Sequence, residues 1–157
     1  MQFSAFALVS LLGSAAAVPA SLSVQRIKEA QEKASSISWA VNNWSVACGT
    51  NSSCTYSFSI EAPAYEPGTP AFKASCNATG ALGAPYQSCS VLNATQQLVK
   101  ARIEAGNATD MVELAVSYEY VDQSTTGVYW NYTSFATEPY SGVKNFTMTP
   151  TQVAAAG

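Results

Sequence analysis

Leu98-Val-Lys-Ala-Arg-Ile-Glu104 and Met111-Val-Glu-Leu-Ala-Val-Ser-Tyr-Glu-Tyr120, parted by Ala-Gly-Asn-Ala-Thr-Asp, decide how this chain folds. Each run alternates apolar and polar residues with the two-residue period of a strand that has one buried face and one wet face. The six residues between them favour a turn, so the runs are expected to pair as an antiparallel hairpin. Pairing positions whose numbers sum to 215 sets Val99, Ala101 and Ile103 against Val116, Leu114 and Val112 on the buried side. On the wet side the same register puts Arg102 opposite Glu113 and Lys100 opposite Ala115, with Asn107 at the tip.

Working outward, Thr55-Tyr-Ser-Phe-Ser-Ile60 alternates in the same way, with Tyr56, Phe58 and Ile60 on one face. The Trp- and Val-rich run 38–47 precedes it, and the turn-forming residues 49–53 join the two into a second expected hairpin. Residues 61–90 hold Pro63, Pro67, Pro70 and Pro85 and read as a long loop excursion. Residues 21–36 carry Arg26, Lys28, Glu29, Glu32 and Lys33 around a weak helical stripe of Leu22, Ile27, Ala30 and Ala34. Six or seven short strands after at most one helix predict an all-β fold. The expected architecture is an antiparallel β-sandwich or β-barrel with a short N-terminal helix or leader.

Eight asparagines occur, and seven begin an Asn-x-Ser/Thr triplet: Asn43, Asn51, Asn77, Asn93, Asn107, Asn131 and Asn145. Ser and Thr fill about a fifth of the chain, so fewer than two such triplets are expected by chance. The excess predicts a surface built for N-glycans, and hence a secreted, extracellular protein. The apolar, uncharged run 3–12 followed by Ala15-Ala-Ala17 reads as a signal peptide over 1–17, with a cut after Ala20 as the other option. Residues 18–36 then form a leader or short helix, and 37–157 a single domain. No later stretch is apolar enough to span a bilayer, and the tail after Val153 is short for a lipid-anchor signal, so a soluble, unanchored product is expected. The net charge is −3, with no basic cluster longer than Lys100-Ala-Arg102, which argues against nucleic acid and anionic membranes as partners.

Cys48, Cys54, Cys76 and Cys89 form an even set in a small secreted chain and predict two disulfides. Three connectivities are open. Cys48–Cys54 and Cys76–Cys89 are favoured because each closes a local loop rich in turn residues, worth about 2–3 kcal/mol apiece on the chain-entropy model. A glycosylated Asn must also face outward. Asn131 therefore turns Val128, Trp130 and Tyr132 inward, and Asn145 turns Phe146 and Met148 inward. Asn43 shares parity with Trp39 and Val41, which leaves two options: a β-bulge at Asn42-Asn43, or an unmodified Asn43.

The chain has no histidine, so Ser-His-Asp and Cys-His sites and His-ligated metals are excluded. Paired cysteines are no nucleophiles, and no phosphate-binding loop follows a strand. No cofactor and no catalytic residue is expected. Two carboxylates could still perform glycoside hydrolysis. Glu113 and Glu119 share a face but stand about 20 Å apart along a strand. Glu104 lies nearer Glu113, although Arg102 is the better-placed partner for Glu113. Glu61 and Glu66 sit in the Pro-rich stretch. Tyr65, Tyr86, Tyr129 and Tyr140 are candidates for a sugar-stacking surface.

Trp39-Ala-Val-Asn-Asn-Trp-Ser-Val-Ala-Cys48, then Cys54-Thr-Tyr-Ser-Phe-Ser-Ile60, with Cys76 and Cys89 beyond, resembles small secreted proteins of filamentous fungi. These are the hypersensitive-response-inducing and Alternaria-allergen-like proteins. The resemblance covers roughly residues 38–90. It implies an extracellular β-sandwich or β-barrel with two intrachain disulfides and a non-enzymatic role as effector, elicitor or allergen. The implied partner is a host protein or a cell-wall polysaccharide.

Overall fold

Among the residues that the computed structural model describes (20–49, 53–65, 68–92, 96–122, 128–140 and 142–156), the alternating runs form ten strands after one helix. The expected signal peptide, Asn51, Glu66 and Asn93 lie outside the described residues. The helix α1 spans Ala20–Ala34; the strands are β1 (Trp39–Cys48), β2 (Ser53–Ala62), β3 (Phe72–Ala81), β4 (Gln87–Ser88) and β5 (Ser90–Val91). They continue as β6 (Gln97–Ala105), β7 (Met111–Asp122), β8 (Val128–Pro139), β9 (Lys144–Met148) and β10 (Pro150–Ala156). One sheet runs β5-β3-β2-β1-β9 and the other β10-β8-β7-β6-β4, every pair antiparallel. The fold is an antiparallel β-sandwich.

The inward residues of both sheets meet in one core. Trp39, Val41, Trp44, Phe58 and Ile60 from the first sheet pack with Val99, Leu114, Val116 and Tyr118 from the second. Trp39 meets Tyr118 edge to face at 6.4 Å, and the Tyr56 hydroxyl donates across the layers to the Ala101 carbonyl at 2.9 Å. Burying a Trp or Tyr this fully contributes several kcal/mol, provided its polar atom finds a partner, as the Tyr56 hydroxyl does.

The β6–β7 hairpin forms as the alternation requires, with one correction to its register. Paired positions sum to 217, not 215: Val99 faces Tyr118, Ala101 faces Val116 and Ile103 faces Leu114. A slip of two keeps every side chain on its face, so alternation alone cannot detect it. The tip decides. Gly106 N–H donates to Met111 O at 3.1 Å, closing the turn one residue pair further out. A Cβ at Gly106 would sit 2.7 Å from the Met111 backbone, so only glycine permits that approach.

The stretch 61–90 is also more ordered than its prolines suggest. It contains the ten-residue strand β3, paired with β2 along its whole length. Phe72, Ala74 and Cys76 point inward while Lys73, Ser75 and Asn77 point out. Alanine, serine and lysine have low strand propensity, which masks the alternation. The chain then crosses between layers through β4 and β5.

Both favoured disulfides are present. Cys48–Cys54 joins directly paired positions of β1 and β2, and Cys76–Cys89 ties β3 to the crossover. At Asn43 the bulge is realised. The β1 register shifts between Asn42 and Ser45 against β2 and between Val41 and Trp44 against β9, and Asn43 takes φ 55°, facing out while Trp44 is buried.

Candidate functional site

The segment 20–34 has no Gly or Pro and is rich in Ala, Gln, Glu and Lys, which favour a helix. Ser35 and Ser36 end it, their hydroxyls donating to the Glu32 and Lys33 carbonyls. Ile27, Ala30 and the fully buried Ala34 turn toward the sandwich. On the flank of the helix, Gln31 Nε2 donates to Thr151 O and Gln31 Oε1 accepts from Val153 N, both at 2.8 Å. One side-chain amide thus completes the hydrogen bonding of two positions on edge strand β10.

The helix so placed roofs a cleft of about 330 Å³ at one end of the sandwich. Tyr65, Tyr120, Trp130 and Tyr132 line it with rings, and Arg26, Glu29, Lys33 and Asp122 supply charge. The rings have their own supports. Tyr65 exchanges hydrogen bonds with the Ser38 backbone at 2.8 and 2.9 Å, Tyr120 shares one with Thr69 at 3.1 Å, and the Tyr120 and Tyr132 rings stack at 6.1 Å. Burial, the main cause, raises the Tyr120 pKa above the ordinary tyrosine range, so its hydroxyl stays protonated and available as a donor. Asp122 lies on the inward parity of β7, after Tyr118 and Tyr120, and its side chain is only 7% exposed. Arg26 reaches it from α1 at 3.3 Å, the guanidinium also lying 5.8 Å from the centre of the Trp130 ring.

A second polar group occupies the outer face of the β6–β7–β8 sheet. Lys100 Nζ contacts both oxygens of Glu119 at 2.9 Å, and Glu119 also accepts from Ser117, Asn131 and the Tyr129 hydroxyl. Toward the hairpin tip, Glu104 and Glu113 stand directly opposite each other. Arg102 bridges to Glu104 at 2.6 Å, not to Glu113, because the two-residue slip moves Arg102 opposite Ala115. Lys100 likewise faces Ser117 in place of Ala115. Glu61 on β2 pairs with Lys73 on β3 at 2.8 Å, both side chains exposed.

The four candidate tyrosines do not gather on one surface. Tyr65 enters the cleft, Tyr86 lies beneath the Arg102 guanidinium at 4.6 Å, Tyr129 joins the Glu119 group, and Tyr140 packs on the core. Of the sequon asparagines, Asn43, Asn77, Asn107 and Asn145 are exposed. Asn131 does face away from Trp130 and Tyr132, yet it is only half-exposed. Its Nδ2, the atom a glycan would occupy, donates to Glu119 at 3.3 Å. No group of three or more His, Cys, Asp or Glu among the described residues is arranged to hold a metal ion, and no described helix is long and apolar enough to cross a membrane.

The cleft combines residues that sequence reading scattered. Trp130 and Tyr132 were legible as inward rings, whereas Arg26 and Asp122 were not connected. The available signal was an acid on the buried parity of an aromatic strand, at Tyr118, Tyr120 and Asp122. No family model matches the chain, and no curated protein or solved structure matches it.

Proposed function

We propose that this is a secreted, N-glycosylated protein that acts by binding, without catalysis, at a fungal cell wall or host surface. That is the role implied by the hypersensitive-response-inducing and Alternaria-allergen-like proteins its 38–90 region resembles. The binding reading is carried by the cleft beneath α1, whose rings stack on apolar faces while its charged groups orient a polar ligand. Two disulfides and four exposed sequon asparagines support an extracellular setting.

The test uses protein purified from the medium of a eukaryotic host, incubated with insoluble chitin, β-glucan, cellulose and xylan while released reducing ends are assayed. Depletion without release is expected, weakened by Tyr65→Ala. Failure to reach the medium, or a mass unchanged by N-glycosidase, would remove the secreted-glycoprotein reading.

A second reading, a carboxylate-dependent glycosidase, is favoured by one observation: Glu104 and Glu113 face each other across the hairpin. Release of reducing ends that Glu113→Gln abolishes would establish it in place of the first. The Arg102 bridge to Glu104 and the open sheet face make binding the better supported reading.

A further inference from the structure

We infer that the cleft beneath α1 is a site for an organic cation, an ammonium or guanidinium group, whose place Arg26 holds in the unliganded protein. This rests on the reading of that cleft as the ligand site and names the chemistry it selects. A carboxylate and an aromatic face converge there. Asp122 is 7% exposed at the side chain, Trp130 is 5% exposed, and a single guanidinium touches both. A desolvated carboxylate beside a π-face is the physical recipe for binding an alkylated or planar cation, since the ring quadrupole and the anion attract the same charge.

The occupant comes from the chain itself. Arg26 projects from α1, which is anchored elsewhere, by Ile27, Ala30, Ala34 and the Gln31 contacts to β10. The Arg26 side chain is 44% exposed, so it can swing into solvent while the helix stays docked. An ion pair open to water on one side is a weak hold, and an incoming cation displaces it at a loss of about tenfold in affinity. The cleft volume, about 330 Å³, accommodates a headgroup or a sugar ring and excludes a folded partner. Tyr65, Tyr120 and Tyr132 complete a wall of rings against which the carbon skeleton of the ligand packs.

The cation could be carried by an amino sugar or by a free amine. Purified protein is therefore titrated by calorimetry with three probes: glucosamine trimer, its N-acetylated neutral counterpart, and agmatine. The wild type is expected to bind at least one cationic probe and to discriminate against the neutral trimer. Arg26→Ala should tighten that binding about tenfold by removing the internal competitor, and Arg26→Ala with Asp122→Asn should abolish it. Binding by glucosamine trimer alone assigns a sugar-borne cation; binding by agmatine assigns the free amine. If the double variant does not fold, salt decides. Affinity of Arg26→Ala for the cationic probe must fall steeply as ionic strength rises.

Equal binding of charged and neutral trimers would overturn the cation assignment and leave the cleft a ligand site. No binding of any probe by either the wild type or Arg26→Ala would remove both. An affinity unchanged by Arg26→Ala would overturn the competitor role.

Discussion

The backbone N–H of Asn43 donates to the side-chain carbonyl of Asn145 at 2.8 Å, so two asparagines that each begin an Asn-x-Ser/Thr triplet brace each other across neighbouring strands at the bulge of β1. The bulge holds Asn43 at φ 55°, a left-handed conformation that Asn and Gly tolerate and β-branched residues resist. Asn43→Gly should change stability by no more than about 0.5 kcal/mol, whereas Asn43→Val should cost about 1–2 kcal/mol. Asn145→Ala should cost about 1 kcal/mol through the lost hydrogen bond. Urea unfolding of protein treated with N-glycosidase measures all three. A harmless Asn43→Val would refute the strained bulge.

Two glycines separate conformational from steric demand. Gly106 has no room for a Cβ against Met111, while Gly83 needs only its positive φ of 78° and has open space around it. Gly83→Ala should therefore cost about 1 kcal/mol, and Gly106→Ala more, on the order of 2–3 kcal/mol. Thermal melts of the two variants give the comparison, and equal shifts would contradict the close approach at the tip.

Alkali should unfold this protein through its tyrosines. Burial first, then the Glu119 carboxylate to which its hydroxyl donates, pushes the Tyr129 pKa up to about 12. Burial likewise raises Tyr56, Tyr118 and Tyr120. An unfolded tyrosine ionises near 10, so the folded state binds these protons more tightly. Their contribution is therefore complete below about pH 10 and is lost as pH climbs toward and past about 12. The urea midpoint should fall over that window, less steeply in Tyr129→Phe; a flat profile would contradict the raised values.

Both disulfides lie in or against the β5-β3-β2-β1-β9 sheet, and the described strands of the other sheet carry none. Cys76→Ser with Cys89→Ser, or Cys48→Ser with Cys54→Ser, should each cost about 2–3 kcal/mol. Hydrogen exchange after either change should rise first in β1, β2 and β3, while the β6–β7–β8 meander keeps its protection. Uniform loss of protection across both sheets would count against separable local opening.

How far the sequence reveals this molecule depends on which physical signal each element uses. Tyr56, Phe58 and Ile60, or Val99, Ala101 and Ile103, announce their strands because large apolar residues alternate with polar ones. In β3 the inward positions after Phe72 are Ala74 and Cys76, too small to stand out among prolines and serines. Register fails for a different reason. Sums of 215 and 217 bury the same residues, and only the Gly106–Met111 approach distinguishes them. The cleft was least legible, since Arg26 and Asp122 are 96 residues apart and meet only through the docking of α1. A weak helical stripe says that a helix can form; it does not say which end of a sandwich it covers.

The Gln31 amide has a consequence for how the molecule behaves in company. An edge strand left open offers its N–H and C=O groups to any other extended chain, including a second copy of itself. On β10 that offer is withdrawn at Thr151 and Val153 by a side chain from the far end of the sequence. The N-terminal helix therefore shields those two positions from pairing with another extended chain. A chain trimmed just past Ala34 should begin to self-associate through β10 even though every strand remains in place.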